Sequence, residues 1–333
     1  MTAPIAVLGS GSWGTALAIQ FARAGKPTRL WGRDAAQRAA MRAVRANQRY
    51  LPDAPFPEQL QIAESIEAAL AGVGDVVIAV PSNAFRSLLT ELAPRITREV
   101  RVAWATKGFE HHTGLLPNQI ARVVLGEGYT MAVLSGPTFA REVGRGLPTA
   151  MVVASADADF AMRIAEDLAS PGFRTYVSTD ITGVEIGGAV KNVIAVGAGL
   201  SDGLGFGANM RVALITRGLA EMTRLGARLG ARERTFMGLT GLGDLVLTCT
   251  DDQSRNRRFG LALARGLSVA AAMHDIGQVV EGYLAARVLR EVAAQRRLDL
   301  PVCECICRIL FDGADTGDVL RELMAQPPEA EFD

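Results

Sequence analysis

A doubly wound α/β domain followed by an all-α domain is the fold this sequence predicts, and three observations predict it. Short apolar β segments alternate with helical stretches through the first half of the chain. After about Ser178 the β segments cease and long helical patterns take over. The chain has 333 residues, beyond the roughly 250–300 at which a single hydrophobic core stops growing. The expected division is 1–178 and 179–333.

The elements follow in order. Pro4-Ile5-Ala6-Val7-Leu8 reads as a short buried strand, with Gly9-Ser10-Gly11-Ser12-Trp13-Gly14 directly after it. A helical pattern runs from Thr15 to Ala24 and stops at Gly25, a residue suited to a C-cap. Thr28–Trp31 is the next strand, completing a compact strand–helix–strand unit. Further β segments are expected at Asp75–Val80, Val100–Ala105, Met131–Ser135, Thr149–Ala154 and Phe173–Val177. Helices between several of them argue for a mostly parallel sheet. In the second half, helical patterns cover Asp180–Ala198, Arg211–Leu229, Ser254–Ala264, Glu281–Arg296 and Val302–Leu310. The tail from Gln326 is expected to fray.

Composition excludes several function classes. Residues are 49% hydrophobic and 21% charged, which supplies ample core and argues against disorder. With 35 basic and 35 acidic residues the net charge is zero, so the electrostatic footprint of a general nucleic-acid binder is missing. No uninterrupted apolar run approaches the roughly 18–20 residues that span a bilayer. Ala16-Leu17-Ala18 mimics a signal-peptidase site, but Arg23 is the first basic residue and the segment reads better as strand, turn and helix. A cytoplasmic location is expected. Cys303, Cys305 and Cys307 fall within one helix after Pro301, a spacing unsuited to disulfides or a zinc set, so they are expected in the core. His111, His112 and His274 are the only histidines, and they suggest neither a Ser/His/Asp triad nor a metal site.

The glycine run is the first chemical signal. A lone GxGxxG is weak evidence, but here it follows a strand and opens a helix. Gly9 allows the tight turn, Gly11 lets the backbone approach a pyrophosphate, and Gly14 permits close packing of helix on strand. The helix start offers amide donors to the anion, beside Ser12 and Trp13. Trp13 serves either there or in packing. After the second strand comes Trp31-Gly32-Arg33-Asp34. An Arg at this place suits a 2′-phosphate, so Arg33 favours NADPH, with NADH use open; Asp34 either reaches the ribose or caps the next helix. Val80-Pro81-Ser82-Asn83 either passes near the nicotinamide ribose or starts a helix.

Lysine usage supplies the second signal. Of 35 basic residues only Lys26, Lys107 and Lys191 are lysines. Arg stays charged, whereas Lys can be tuned as an acid or base, so a retained Lys in apolar surroundings stands out. Lys107 follows a strand in Ala105-Thr106-Lys107-Gly108, placed to hold a substrate oxygen or phosphate. Lys191 is the only cation of Glu185-Ile186-Gly187-Gly188-Ala189-Val190-Lys191-Asn192. Burial and a second ammonium nearby would both lower its pKa, as a general acid/base for a carbonyl/alcohol couple requires. The alternatives are a Lys snorkelling from the helix or paired with Glu185. Ser135-Gly136-Pro137-Thr138 is by itself an ordinary turn after a strand. Ser254-Arg255-Asn256 opens a helix and suits a phosphate dianion, while Arg257 and Arg258 face solvent or acidic neighbours. Asp244 either orients a lysine, accepts a substrate hydroxyl or caps a turn.

Taken together, these segments resemble the bacterial NAD(P)-dependent glycerol-3-phosphate dehydrogenases. The matching stretches are GSGSWGTALA, LWGRD, ATKG, SGPTFA, EIGGAVKNVIA, GLGFGANMRVALITRGLAEM, TGLGDLVLTCT, QSRNRRFG and QVVEGY, in order from residue 9 to 283. The resemblance implies a Rossmann domain, a helical domain, and interconversion of dihydroxyacetone phosphate and sn-glycerol 3-phosphate with NADP or NAD, supplying phospholipid synthesis. It further implies Lys191 as proton donor and acceptor. Substrate would meet Lys107, Gly136, Thr138, Lys191, Asp244, Ser254, Arg255 and Asn256. Cofactor would meet Gly9, Gly11, Ser12, Trp13, Gly14, Arg33, Lys107, Ala140, Arg255, Val279 and Glu281. Ala140, Val279 and Glu281 rest on the resemblance alone. The three cysteines of the 303–307 stretch depart from the aliphatic and aromatic residues expected there. A small phosphate ester is the expected partner, with no nucleic acid, no membrane span and a homodimer as the assembly to test. A two-domain β-hydroxy-acid dehydrogenase and a non-catalytic NAD(P)-sensing module are the competing readings.

Overall fold

The computed structural model describes residues 3–325; the expected fraying from Gln326 onward lies outside them. Ten strands occur in chain order: β1 (Ile5–Leu8), β2 (Thr28–Trp31), β3 (Ala46–Asn47), β4 (Leu51–Pro55), β5 (Leu60–Ile62), β6 (Asp75–Ile78), β7 (Arg101–Trp104), β8 (Met131–Ser135), β9 (Thr149–Ser155) and β10 (Phe173–Ser178). Eight of them form one sheet in the order β10-β9-β8-β7-β6-β1-β2-β5. Every neighbouring pair is parallel except β8 and β9. β3 and β4 pair separately as a small antiparallel hairpin.

β1 and β6 are buried at every position, as central strands covered on both faces must be. Two apolar clusters flank the sheet. One gathers Leu17, Phe21, Leu30, Leu134 and Phe160; the other gathers Leu8, Phe85, Leu89, Trp104 and Val133.

Beyond Ser178 the described elements are helical, as the sequence predicts. The helix Ile181–Gly203 is longer than the expected Asp180–Ala198, and Asp180 caps it through Gly183 N at 2.9 Å. By length and composition alone it resembles a membrane span, yet 89% of its most apolar window is buried within the fold. It is the spine of the helical core, and helices Gly207–Arg228, Arg255–Ala264, Glu281–Arg296 and Pro301–Phe311 pack around it.

Small residues permit those crossings. A Cβ on Gly260 would lie 2.1 Å from Val196 O, and one on Gly199 2.1 Å from Arg257 O, so two helices touch backbone to backbone. Gly260→Ala is expected to lower unfolding free energy by about 3 kcal/mol, because the crossing has no flexible side chain to move aside. A denaturant titration checks this; an unchanged midpoint would mean that the helices separate freely. All four cysteines are buried and free, and the three in Pro301–Phe311 sit in the helical core as expected.

The sequence reading missed β5, the β3–β4 hairpin, and the helices Asp244–Thr250, Val269–Ile276 and Thr316–Met324. It also began the first helix too late: that helix runs Ser12–Arg23, so Ser12 and Trp13 belong to its first turn.

Candidate active site

The loops after β1, β2, β6, β7 and β8 open toward a cleft of 1270 Å³, closed on its other side by the helical half. At its sheet end lies the glycine run. Gly9 has φ +120°, and a Cβ on Gly14 would fall 1.9 Å from Gly9 O, so both positions demand glycine. A Cβ on Gly11 would meet nothing within 4 Å, because Gly11 faces the open cleft. No side chain caps the helix start at Gly11, and its first turn carries no acid. Those amide donors and the open approach fit a dinucleotide pyrophosphate. Trp13 Nε1 is buried without a partner at the same wall, while Arg33 is exposed at the cleft mouth.

Asp34 accepts from Gln37 N at 3.0 Å and caps the helix Ala35–Val44, so capping is its observed role. Two residues that the sequence reading did not single out brace the loop. Asn47 Nδ2 donates to Ser10 O at 3.0 Å and to Thr15 Oγ1 at 2.8 Å, and Gln37 Nε2 donates to Ser10 O at 3.0 Å.

At the other end two lysines share one carboxylate. Lys107 Nζ donates to Asp244 Oδ2 at 2.8 Å, and Lys191 Nζ donates to Asp244 Oδ1 and to Thr248 Oγ1, the latter at 2.9 Å. Asp244 is 1% and Lys191 6% exposed. Burial pulls the Lys191 pKa down to about 8; the Asp244 carboxylate opposes this and the Lys107 ammonium reinforces it. For Asp244, burial acts upward, but the two ammonium groups outweigh it and leave the carboxyl below its ordinary value.

The alternative pairing of Lys191 with Glu185 does not occur. Glu185 accepts from Trp104 Nε1 and Asn118 N instead, because its helix position turns it toward β7 rather than the cleft. The sequence assigns Thr248 no role; the helix Asp244–Thr250 brings it beside Lys191, whose ammonium it accepts from.

Between these ends lie the remaining candidates. Ser254 caps its helix through Arg257 N at 3.2 Å and lines the cleft, as do Arg255 and Asn256. Asn256 Oδ1 accepts from Gly282 N, and Nδ2 gives one of its two protons to Asn192 Oδ1, leaving one donor. Arg255 reaches Gln278 Oε1 at 3.0 Å. Arg257 is buried against Asp202 and Asp252, acidic neighbours as expected, whereas Arg258 is exposed at the cleft.

Thr138, Ala140, Val279 and Glu281 all line the cleft. Ser82 Oγ donates to Glu281 Oε2 at 3.0 Å across the two halves, and burial raises the Glu281 pKa. Gly136 is buried and stands behind the residues that line the cleft. Its carbonyl accepts from Lys107 Nζ at 3.3 Å and from Thr138 Oγ1 at 3.1 Å.

Family models and individual relatives agree on one kinship. The N-terminal model of NAD-dependent glycerol-3-phosphate dehydrogenase matches residues 4–161, and the C-terminal model of the same family matches 180–321. A glycerol-3-phosphate dehydrogenase (NAD(P)+) of Thioalkalivibrio sulfidiphilus is 52% identical over 329 residues, 99% of each chain. Its counterpart in Halorhodospira halophila is 51% identical over 333 residues, the whole of both. The crystal structure of glycerol-3-phosphate dehydrogenase from Coxiella burnetii superposes with a TM-score of 0.94 at 44% identity, covering 98% of this chain and 99% of that one.

Proposed function

The chain belongs to the NAD-dependent glycerol-3-phosphate dehydrogenase family, and on that basis we propose that it interconverts dihydroxyacetone phosphate and sn-glycerol 3-phosphate with NADPH or NADH. The observation that carries the mechanism is the Asp244 carboxylate shared by Lys107 and Lys191 in the wall of a cleft that begins at a glycine-rich helix start. The nicotinamide, when bound, supplies or accepts the hydride. In the reducing direction Lys191, as the ammonium, polarises the C2 carbonyl and delivers its proton to the developing alkoxide. Asp244 holds that ammonium in place, and Lys107 adds positive potential beside the same oxygen. Arg255, the remaining Asn256 donor and the amides after Ser254 grip the phosphate, so binding remote from C2 orients the reacting carbon. Gly136 serves by holding Lys107.

Residues 1–178 then form the cofactor domain and 179–333 the substrate domain. The reading carries a cytoplasmic setting, glycerol 3-phosphate supply for phospholipid synthesis, and a homodimer as the assembly to test. Purified protein should oxidise NADPH with dihydroxyacetone phosphate and stay silent with phosphate-free dihydroxyacetone. Equal rates with both ketones would remove the phosphate assignment. No turnover with either, at intact cofactor binding, would favour the sensing reading.

Cofactor choice has its own test. Arg33 stands at the cleft mouth, where a 2′-phosphate would arrive. Arg33→Ala should raise the KM for NADPH roughly 10–100-fold, the value of one or two charge-assisted hydrogen bonds, and leave that for NADH within about twofold. A parallel rise for both cofactors would place the discrimination elsewhere.

A further inference from the structure

Glu185 takes no part in the proton transfer and does not line the cleft, yet it is a 4% exposed acid on the same helix as Lys191. Burial lifts its pKa to about 8, and three donors oppose that rise. Trp104 Nε1 donates to Oε1 at 2.8 Å, Asn118 N donates to Oε1 at 2.9 Å, and Asn118 Nδ2 donates to Oε2. Trp104 ends β7, and Lys107 lies three residues beyond it.

The helix meets this segment at positions 185, 188 and 191, which fan across about 120° of its circumference with Gly188 in the middle. Glu185 grips Trp104 at the strand end. At Gly188 a Cβ would lie 3.3 Å from Lys107 Cγ, so the lysine stem runs directly against the helix backbone. At Lys191 the helix reaches the carboxylate that Lys107 also meets. A shift of the β7 end along the helix would draw Lys107 away from the carboxylate it shares with Lys191.

We propose that Glu185 is a positioning residue that locks the Lys107 segment onto the helix bearing Lys191, and so holds the Lys107 ammonium on the Asp244 carboxylate that Lys191 also meets. This rests on the roles given above to the two lysines. The bond to Trp104 is the part of the contact that fixes β7; the bonds to Asn118 tie in the neighbouring helix Pro117–Leu125. Gln at this position keeps the Oε1 acceptor and, with the Asn118 amide turned over, both remaining contacts.

The test uses the full chain and two readouts. With only three lysines, acetylation by acetic anhydride can be followed site by site by mass spectrometry, with Lys26, paired to Asp167, as internal reference. Glu185→Ala should speed labelling of Lys107 roughly threefold or more relative to Lys26, as local opening exposes it. It should also cut kcat about tenfold or more at unchanged NADPH affinity, the scale expected of a small misplacement. Glu185→Gln should restore both to within about threefold of the parent. Trp104→Phe keeps a six-membered aromatic ring but loses the indole donor together with the five-membered ring; it should shift both readouts in the same direction, and it decides the matter if Glu185→Ala does not fold. Lowered thermal stability with parental labelling and kcat in the folded Ala and Phe variants would overturn the proposal and leave Glu185 a packing residue. Absence of turnover in the parent would count against the dehydrogenase reading alone, since lysine labelling needs no catalysis and still decides the role of Glu185.

Discussion

Lys191→Ala is expected to lower kcat for dihydroxyacetone phosphate reduction about 10³-fold while NADPH affinity stays within about threefold, because only the proton donor is lost. Lys191 is held by Asp244 and Thr248 on the helical side of the cleft, whereas the glycine-rich loop follows β1, so cofactor binding has little reason to respond. The pH profile carries a sign. Burial brings the Lys191 pKa down to about 8 from its ordinary 10.5. Reduction needs the ammonium and should fall as pH rises through that value; oxidation needs the free amine and should rise over the same range. Stopped-flow rates in both directions, corrected for the proton in the overall equilibrium, check this. A Lys191→Ala enzyme with parental turnover, or two limbs that move together with pH, would transfer the proton to another group.

Asp244→Asn should have the second largest effect, on stability as well as rate. Its carboxylate is the common partner of two ammonium groups, and the neutral amide leaves both in a nearly dry wall without a counter-charge. Removing one member of such a buried set costs about 3–5 kcal/mol. The protein relieves part of that by losing a proton from Lys191, whose pKa should drop further. Reduction in the variant should therefore lose its acid form at lower pH than the parent, with kcat at neutral pH down roughly 10²-fold. Thermal melts and pH–rate profiles of the same preparations read both effects. An unshifted profile at lowered stability would make Asp244 a structural anion only.

Much of this site was legible in the sequence because its signals are local. A glycine run between strand and helix, a lysine where arginine is the habitual cation, and a Ser-Arg-Asn helix start are each readable within ten residues. The α/β-then-helical division was legible for the same reason, as hydrophobic period changes near Ser178. What escaped depends on distance in the chain. Nothing near Asn47 says that its amide will brace Ser10, 37 residues earlier. The five-residue β4 and three-residue β5 are too short to display a period. Glu185 and Lys191 invited pairing because they share a helix, but six residues of separation turn them apart, and the true partner lies 53 residues further on.

The reversal between β8 and β9 has a stereochemical consequence. β9 and β10 run against the other strands, so the chain leaves the sheet at the end away from the glycine-rich loop. The helix after β10 then travels outward in the same sense as β7, passing Trp104 at Glu185 before reaching Lys107 and Asp244. Under the roles proposed above, Lys191 would approach the ketone from the helical side, with the start of Arg255–Ala264 holding the phosphate. With the nicotinamide as a third point, such an arrangement would leave a single face of the trigonal carbon open to hydride. On that reading the handedness of the product would follow from strand direction, and the mirror-image glycerol phosphate would satisfy two of those points but not all three.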